Sequence, residues 1–436
     1  MNLDEYIKKN FDNSETWFQD EVNKPHHTRR ISEVYRNKDY LVGRHKVLSR
    51  EDSVYKGKVL ITRKTIIQYV KTLLTFHDSL ILGKPVSLVS DDMETQKTVT
   101  DIYRLGGFNS ADYKILDRVN KFGDSYEYLY IEDGVIKSRV FDSADSYPVY
   151  SDDGEYLAFI ESWTDAWSNI TYWNVYYPDR VEYWNNEGAE LNHTETKRNL
   201  SGLPIHYHNI NDEDDMFGRS ILDDLIPIMD ELEDILSKLG DSVYVYMLNP
   251  LPVAIGQRIE SSIPADATGY VLNLDMGSFD YKNATIDYNT VKLYLDNLKN
   301  MLQDVACFPS ALSGNTNVAN VSSVSLQMLF HLAISKAYEN EKWLTEGFMK
   351  RFEVFRKLLA MQGQVLKDVH TSFNLNIPVA QNEVVSNLKT MVETGAMSKV
   401  TAMEKSGLID DVAVELERLE DEPKVNGGSE NEGVEV

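Results

Sequence analysis

The 436-residue chain has a single cysteine, Cys307, which excludes an intramolecular disulfide framework and fits a reducing compartment. No apolar run approaches the roughly 20 residues needed to cross a bilayer. The opening "NLDEYIKKNFDNSE" lacks the apolar centre of a secretory signal, so a soluble, cytoplasmically made protein is expected. Catalytic signatures are also missing. There is no GxxxxGK[ST] phosphate loop, since "LGKPVS" has the Gly-Lys pair without the upstream glycine or the following hydroxyl. GxGxxG, GxSxG and HExxH are absent as well. Histidines number nine. His206 and His208 alternate along "PIHYHNI" and, with Asp212 or Asp214, have the makings of a metal site. No further histidines gather there, and neither metal nor cofactor is expected. His26-His27 lie among basic residues and read as exposed. Cys307 beside Phe308 reads as a small buried hydrophobe with no activating base. Carboxylates are plentiful, but nothing selects a pair for glycoside hydrolysis, so no catalytic residue is assigned.

Positive charge is in short supply: 44 Lys and Arg against 69 Asp and Glu, a net charge of −25. That balance argues against tight nucleic-acid binding by the surface as a whole. The distribution is uneven, however. Residues 24–71 hold 13 basic and 4 acidic side chains, whereas residues 211–241 hold 11 acids and 2 bases, and residues 410–436 hold 10 acids and 2 bases. Solvated faces are the plain explanation; distinct surfaces for distinct partners are the functional one.

The pattern of elements is α+β. The first hundred residues read as mostly helical, with "TRKTIIQYVKTLLTFHDSLILGKPVSL" apolar at helical spacing until Gly83 and Pro85 stop it. Residues 101–120 give further helix, interrupted at Gly106-Gly107. After Gly123 the period changes to two. "YEYLYI" and "VIKSRVF" flank Asp133-Gly134, and "YPVY", "EYLAFIESW", "ITYWNVYYP" and "RVEYW" follow with turns about every ten residues, as in a β-meander. Sixteen of the 46 aromatics fall between Tyr126 and Trp184, suited to cross-strand packing; a sugar-binding platform is the functional alternative.

"GRSILDDLIPIMDELEDILSKLGDSVYVYM" then reads as an amphipathic helix that starts or kinks at Pro227. Leu222, Leu225, Met229, Leu232, Leu236, Leu239 and Val243 form its apolar stripe, with Asp223, Asp230, Asp234 and Asp241 near the opposite side. A short β-rich insertion, 249–286, separates it from a second helix with the stripe Val291, Tyr294, Leu295, Leu298, Met301, Leu302 and Val305. Pro309 ends that helix. An uncharged Ser/Asn/Thr/Gly loop leads into a helical run from Val321 to Gln362, with Gly347 its weak point. Short helices follow, with a C-cap at Gly395 and an N-cap at Ser398. The acidic Gly-rich end reads as disordered.

Taken in order, "HDSLILGKPVSL", "FGRSILDDLIPIMDELEDILSKLGD", "VACFPSALSGNTNVANVSSVSLQMLF" and "IPVAQNEVVSNLKTMVETGAMSKVTAMEKSGLIDDVAVELERLEDE" resemble the portal proteins of tailed bacteriophages, in the SPP1-like family whose members assemble dodecameric rings. The resemblance covers most of the chain from about residue 65. It implies a portal-like fold: a wing over 1–215, a first stem helix over 216–248, a clip over 249–286, a second stem helix over 287–308, a tunnel loop over 309–322, a long wing and tunnel helix over 323–362, a helical crown over 363–422 and a disordered acidic tail over 423–436. It implies a non-enzymatic conduit for double-stranded DNA at one capsid vertex, used in packaging and ejection. Implied partners are further copies of the chain, the terminase large subunit, the major capsid and scaffolding proteins and a head-completion or adaptor protein, with no membrane. The protein would be assembled in the host bacterial cytoplasm and reside in the virion. Ser313, Gly314, Asn315, Thr316, Asn317 and Asn320 of the tunnel loop would then face DNA, and Asp223, Asp230, Asp234 and Asp241 would line the channel. The alternatives are a minor head or adaptor protein, a basic-arm DNA-binding protein for the 24–71 segment, and a carbohydrate-active enzyme built on the aromatic strands.

Overall fold

A computed structural model describes residues 1–55, 58–243, 251–256, 277–282, 287–309, 328–377, 381–406, 408–409 and 412–421. The expected DNA-facing residues Ser313, Gly314, Asn315, Thr316, Asn317 and Asn320, the middle of the β insertion and the acidic tail lie outside the described residues. The described helices are α1 (Leu3–Phe11), α2 (Trp17–Glu21), α3 (Pro25–Leu41), α4 (Tyr69–Leu82), α5 (Met93–Gly106), α6 (Phe108–Phe122), α7 (Leu222–Ser242), α8 (Tyr288–Val305), α9 (His331–Met361), α10 (Gln381–Glu393), α11 (Lys399–Ser406) and α12 (Val412–Asp421). The strands are β1 (Ser53–Tyr55), β2 (Lys58–Leu60), β3 (Ser87–Val89), β4 (Asp124–Glu132), β5 (Val135–Val140), β6 (Ser146–Tyr150), β7 (Tyr156–Thr164), β8 (Thr171–Tyr176), β9 (Arg180–Asn185), β10 (Asn192–Arg198), β11 (Ile205–His208), β12 (Leu251–Ile255), β13 (Ser278–Lys282) and β14 (His370–Ser372). None of the described helices is long and apolar enough to cross a membrane.

The chain divides into two compact units. Met1–Asn37, Thr72–Ile221 and Phe308–Val436 form the first; Lys38–Lys71 and Leu222–Cys307 form the second. In the first, local chemistry sets the element boundaries. Asn2 and Glu5 close a capping box on α1. Asp92 caps α5 by accepting the Thr95 N–H, and Gly107, in the left-handed conformation, separates α5 from α6.

The aromatic meander divides into two sheets. β4 and β5 turn at Asp133-Gly134, both at positive φ, and join β11 in a three-stranded sheet of order β11-β4-β5; β6 to β10 form a separate antiparallel sheet. The break follows β5, where the Asp142 side chain accepts the Ala144 N–H and caps one turn of 3₁₀ helix at Ser143–Asp145. The aromatics are mostly core. Tyr126, Phe141, Phe159 and Tyr176 cluster with Val181, while Trp17 and Phe18 of α2 pack with Trp173, Tyr177 and Val149.

The largest core of this unit lies between α5, α6, α9 and the three-stranded sheet, centred on Phe108, Ile115, Phe348, Phe352 and Phe355. The described part of the long helix, α9, has 31 residues, about 46 Å. Gly347 is its weak point for a packing reason. A Cβ there would lie 2.1 Å from the ring of Tyr207 on β11, so only glycine lets the ring sit against the helix backbone. At the C-terminal end both expected caps are present: Gly395 has φ +72, and the Ser398 hydroxyl accepts the Thr401 N–H at 3.1 Å.

In the second unit α7 packs along α8. Leu222, Leu225, Met229 and Leu232 are buried, as the stripe requires. Helix α7 starts at Leu222 and runs through Pro227, which is exposed. Between the two helices in sequence, β12 and β13 pair antiparallel from Leu251↔Lys282 to Ile255↔Ser278.

Candidate functional site

The acidic face of α7 is the charge-bearing feature that the sequence singles out. Asp223 is half-buried and engaged within the fold. Asp230 is also half-buried, and its Oδ1 has no hydrogen-bond partner. Burial pushes its pKa up against the opposing pull of Lys46 and His45. Asp234 and Asp241 share one cation, Arg50. The guanidinium lies 3.6 Å from Asp234 and 3.1 Å from Asp241. Lys238 reaches Asp234 from the next turn at 2.5 Å. The exposed acids of α7 are Asp224 and Glu231, and Glu231 accepts the Tyr294 hydroxyl of α8 at 2.8 Å.

A second set of polar side chains lies on the covered side of α7 and escapes the sequence pattern. Glu233 and Ser237 are fully buried. The extended segment 62–67 runs antiparallel to the helix against them. The N–H of Arg63 donates to Asp241 at 2.7 Å, that of Thr65 to Ser237 at 2.9 Å, and that of Ile67 to Glu233 at 2.7 Å. Two residues of extended chain advance about 6.7 Å, and four residues of helix about 6 Å. Alternate amides of the segment therefore stay in step with side chains spaced four apart. Segment 62–67 becomes a strap whose backbone donors are satisfied by helix side chains instead of a neighbouring strand.

Two further groups fix the strap. Arg50 donates to the Arg63 carbonyl at 2.7 Å, so one guanidinium ties strap and helix together. His45 places Nδ1 2.6 Å from Glu233 and Nε2 2.9 Å from the Tyr40 carbonyl, with its ring stacked on Tyr40 at 3.8 Å. The ring thereby ties Glu233 to the Tyr40 carbonyl. The basic 38–71 stretch thus engages the acidic helix within its own unit. The available signal was the complementary charge of two segments, together with Glu233, Ser237 and Asp241 at i, i+4 and i+8.

Helix α8 shows the converse mismatch. Its stripe buries Leu298 and Leu302 and half-buries Val291 and Leu295, but Tyr294, Met301 and Val305 are exposed, as are Tyr288 and Leu293. Helix α7 covers one side of an apolar face that is wider than itself. Cys307 is half-buried at φ +50, less enclosed than its composition suggests.

The histidines differ from their sequence reading. His206 has both ring nitrogens occupied, by Tyr150 at 2.7 Å and Asp124 at 2.8 Å, and burial lowers its pKa. His208 contacts the Asn209 carbonyl at 3.2 Å. His26 is exposed as expected, but His27 is completely buried, because Glu21 and Tyr147 close over it.

The model of the family described as "Phage portal protein, SPP1 Gp6-like" matches residues 20–427, and the chain belongs to that family of phage portal proteins, structural components of the virion. No curated protein matches it. Among solved structures, the chain is similar to one from the neck of an empty GTA particle computed with C6 symmetry, at 11% identity and TM-score 0.48, covering 78% of this chain and 90% of that one. A chain of the virion of the native gene transfer agent (GTA) particle is 12% identical with TM-score 0.43, covering 78% and 89%. One from the neck of the native GTA particle computed with C12 symmetry is 12% identical with TM-score 0.44, covering 78% and 88%.

Proposed function

We propose that the protein assembles as a dodecameric ring at one capsid vertex, through which DNA is packaged and ejected, with the terminase large subunit and later a head-completion protein docking at the 249–286 insertion. The observation that carries this reading is the family match over nearly the whole chain. Two features of the second unit support it. The uncovered apolar face of α8 needs a partner, and a neighbouring copy supplies one in a closed ring. On α7 the exposed Glu231 repels phosphates, which suits a wall past which DNA slides. Of the four Asp residues expected to line the channel, Asp234 and Asp241 have their charge largely answered by Arg50, so in this reading the exposed Glu231 carries more of the repulsion. The uncharged Ser313–Asn320 loop, rich in weak hydrogen-bonding groups, would meet DNA without gripping it. Electron microscopy of the purified protein tests the class. Rings with a central hole are expected, and a protein that stays monomeric at high concentration even with capsid scaffold present contradicts the reading.

A further inference from the structure

The N-terminal corner of the first unit holds an arrangement that the conduit role does not use. Helix α2 ends at Glu21, and α3 begins at Pro25 with His26 and His27 in its first turn. Ligand atoms of Glu21, His26 and His27 all lie within 4.8 Å of one another. The two imidazole rings are 4.1 Å apart between centroids. His27 is 0% exposed, and neither of its ring nitrogens has a hydrogen-bond partner. Its Nε2 lies 3.3 Å from Glu21 Oε1 without the alignment of a hydrogen bond. A buried imidazole with two unsatisfied nitrogens is costly and calls for an explanation.

The spacing supplies one. Two donors bound at about 2.1 Å to one tetrahedral ion stand about 3.4 Å apart, close to the separation of Glu21 Oε1 and His27 Nε2. A neutral imidazole offers a lone pair to a metal, and both nitrogens of this buried ring are open to one. Glu21 is oriented from behind. Its Oε2 accepts from Tyr6 at 2.9 Å and lies 2.9 Å from the Lys24 ammonium, which leaves Oε1 directed at His27. His26, on the exposed side, gives a route of entry.

We infer that Glu21, His26 and His27 form a binding site for a zinc-class divalent transition metal, with two imidazole nitrogens, one carboxylate oxygen and a solvent position. The ion would clip the turn between α2 and α3, and so hold Trp17 and Phe18 of α2 on the aromatic sheet. The Lys24 ammonium on the same carboxylate opposes the ion, and this gives the test an unusual sign.

The experiment uses the full-length protein, stripped with a chelator and titrated with Zn²⁺ by calorimetry and with Co²⁺ by visible spectroscopy. One saturable equivalent per chain is expected, with the intense absorption of Co²⁺ in a low-coordinate nitrogen and oxygen site and a zinc-dependent rise in melting temperature. His26→Ala removes an exposed ligand without touching the core and should weaken binding at least about tenfold. Glu21→Gln should do the same. Lys24→Ala should tighten binding roughly threefold or more by removing the competing charge, and His193→Ala, an exposed histidine elsewhere, should leave it unchanged. Absence of a bound equivalent, or a His26→Ala variant that binds as tightly as wild type, overturns the site.

Discussion

At the scale of single residues, the first unit depends on buried charges that the sequence conceals. Arg351 of α9 is completely buried between Asp112 and Glu127, with its Nε 2.9 Å from Glu127 and an NH group 2.9 Å from the Tyr103 hydroxyl. Tyr207 donates to the same Glu127 oxygen at 2.7 Å. Burial pushes the Asp112 pKa up to about 6 even beside Arg351, because two carboxylates share one guanidinium. Removing the cation strands both acids. Arg351→Met, which keeps the volume, is therefore expected to cost about 3–5 kcal/mol in denaturant unfolding; a loss under 1 kcal/mol would show that the cluster is not coupled to folding. Asp78 gives a pH signature. It is buried and accepts from Asn120 at 2.7 Å, and desolvation, reinforced by Asp117, raises its pKa to about 7. The folded state thus binds this proton more tightly than the unfolded chain, whose aspartate titrates near 3.9. The contribution of Asp78 is greatest below about pH 4, declines as pH rises to about 7, and is flat above. Asp78→Asn keeps an acceptor for Asn120 and should flatten that decline, making the variant more stable than wild type at pH 8 by on the order of 2 kcal/mol. Equal stability of the two proteins across pH 4–8 would remove Asp78 as the cause.

At the scale of elements, the strap on α7 makes its own prediction. Ser237→Ala deletes the acceptor for the Thr65 N–H, and Asp241→Ala deletes the acceptor for Arg63 and one arm of the Arg50 clamp. Each should cost about 1–2 kcal/mol and raise hydrogen exchange locally over residues 62–67, leaving the aromatic sheet protected. Wild-type amides at 63, 65 and 67 exchanging as freely as an open loop would contradict the arrangement. This element also marks where sequence reading stopped. Helix α7, the hairpin around Asp133-Gly134, and the caps at Gly395 and Ser398 were legible, because periodicity and turn chemistry act over a few residues. The strap was not: residues 62–67 read as the start of a helix that begins only at Tyr69, because Ile66 and Ile67 fit its apolar spacing while 63, 65 and 67 donate through their backbone. Its partners are some 170 residues away, and Glu233 and Ser237 interrupt the pattern that marks a buried face. Tyr207 against Gly347 was hidden for the same reason: one glycine in a helix reads as weakness until its neighbour is known. The aromatic meander was seen as strands, but its division into two sheets depends on a 3₁₀ turn at Ser143–Asp145, too short to register as an element.

At the scale of the whole molecule, a net charge of −25 combined with the proposed DNA-conduit role requires the charge to be distributed by position. Thirteen basic side chains in 24–71 would favour DNA if they lay open to it. In the second unit Arg50 is instead set against Asp234 and Asp241, which mutes its attraction for phosphate and part of the repulsion of α7 together. If α7 lines a DNA channel as proposed, that lining should be sensitive to added positive charge where none exists. The 305–327 stretch, which contains no Asp, Glu, Lys or Arg, is the place to add it. Replacing both Asn315 and Asn317 by Lys introduces two cations per chain, multiplied around a ring, and each phosphate neutralised releases about 0.9 counterion from duplex DNA. The variant should form rings indistinguishable from wild type by electron microscopy. Packaging in its presence should slow, and the defect should lessen as salt rises, because the added grip is electrostatic. Asn315→Gln with Asn317→Gln keeps the loop uncharged and should package normally, which separates charge from side-chain size. A lysine variant that packages at the wild-type rate in low salt would mean that this loop does not meet the DNA, whatever the ring does.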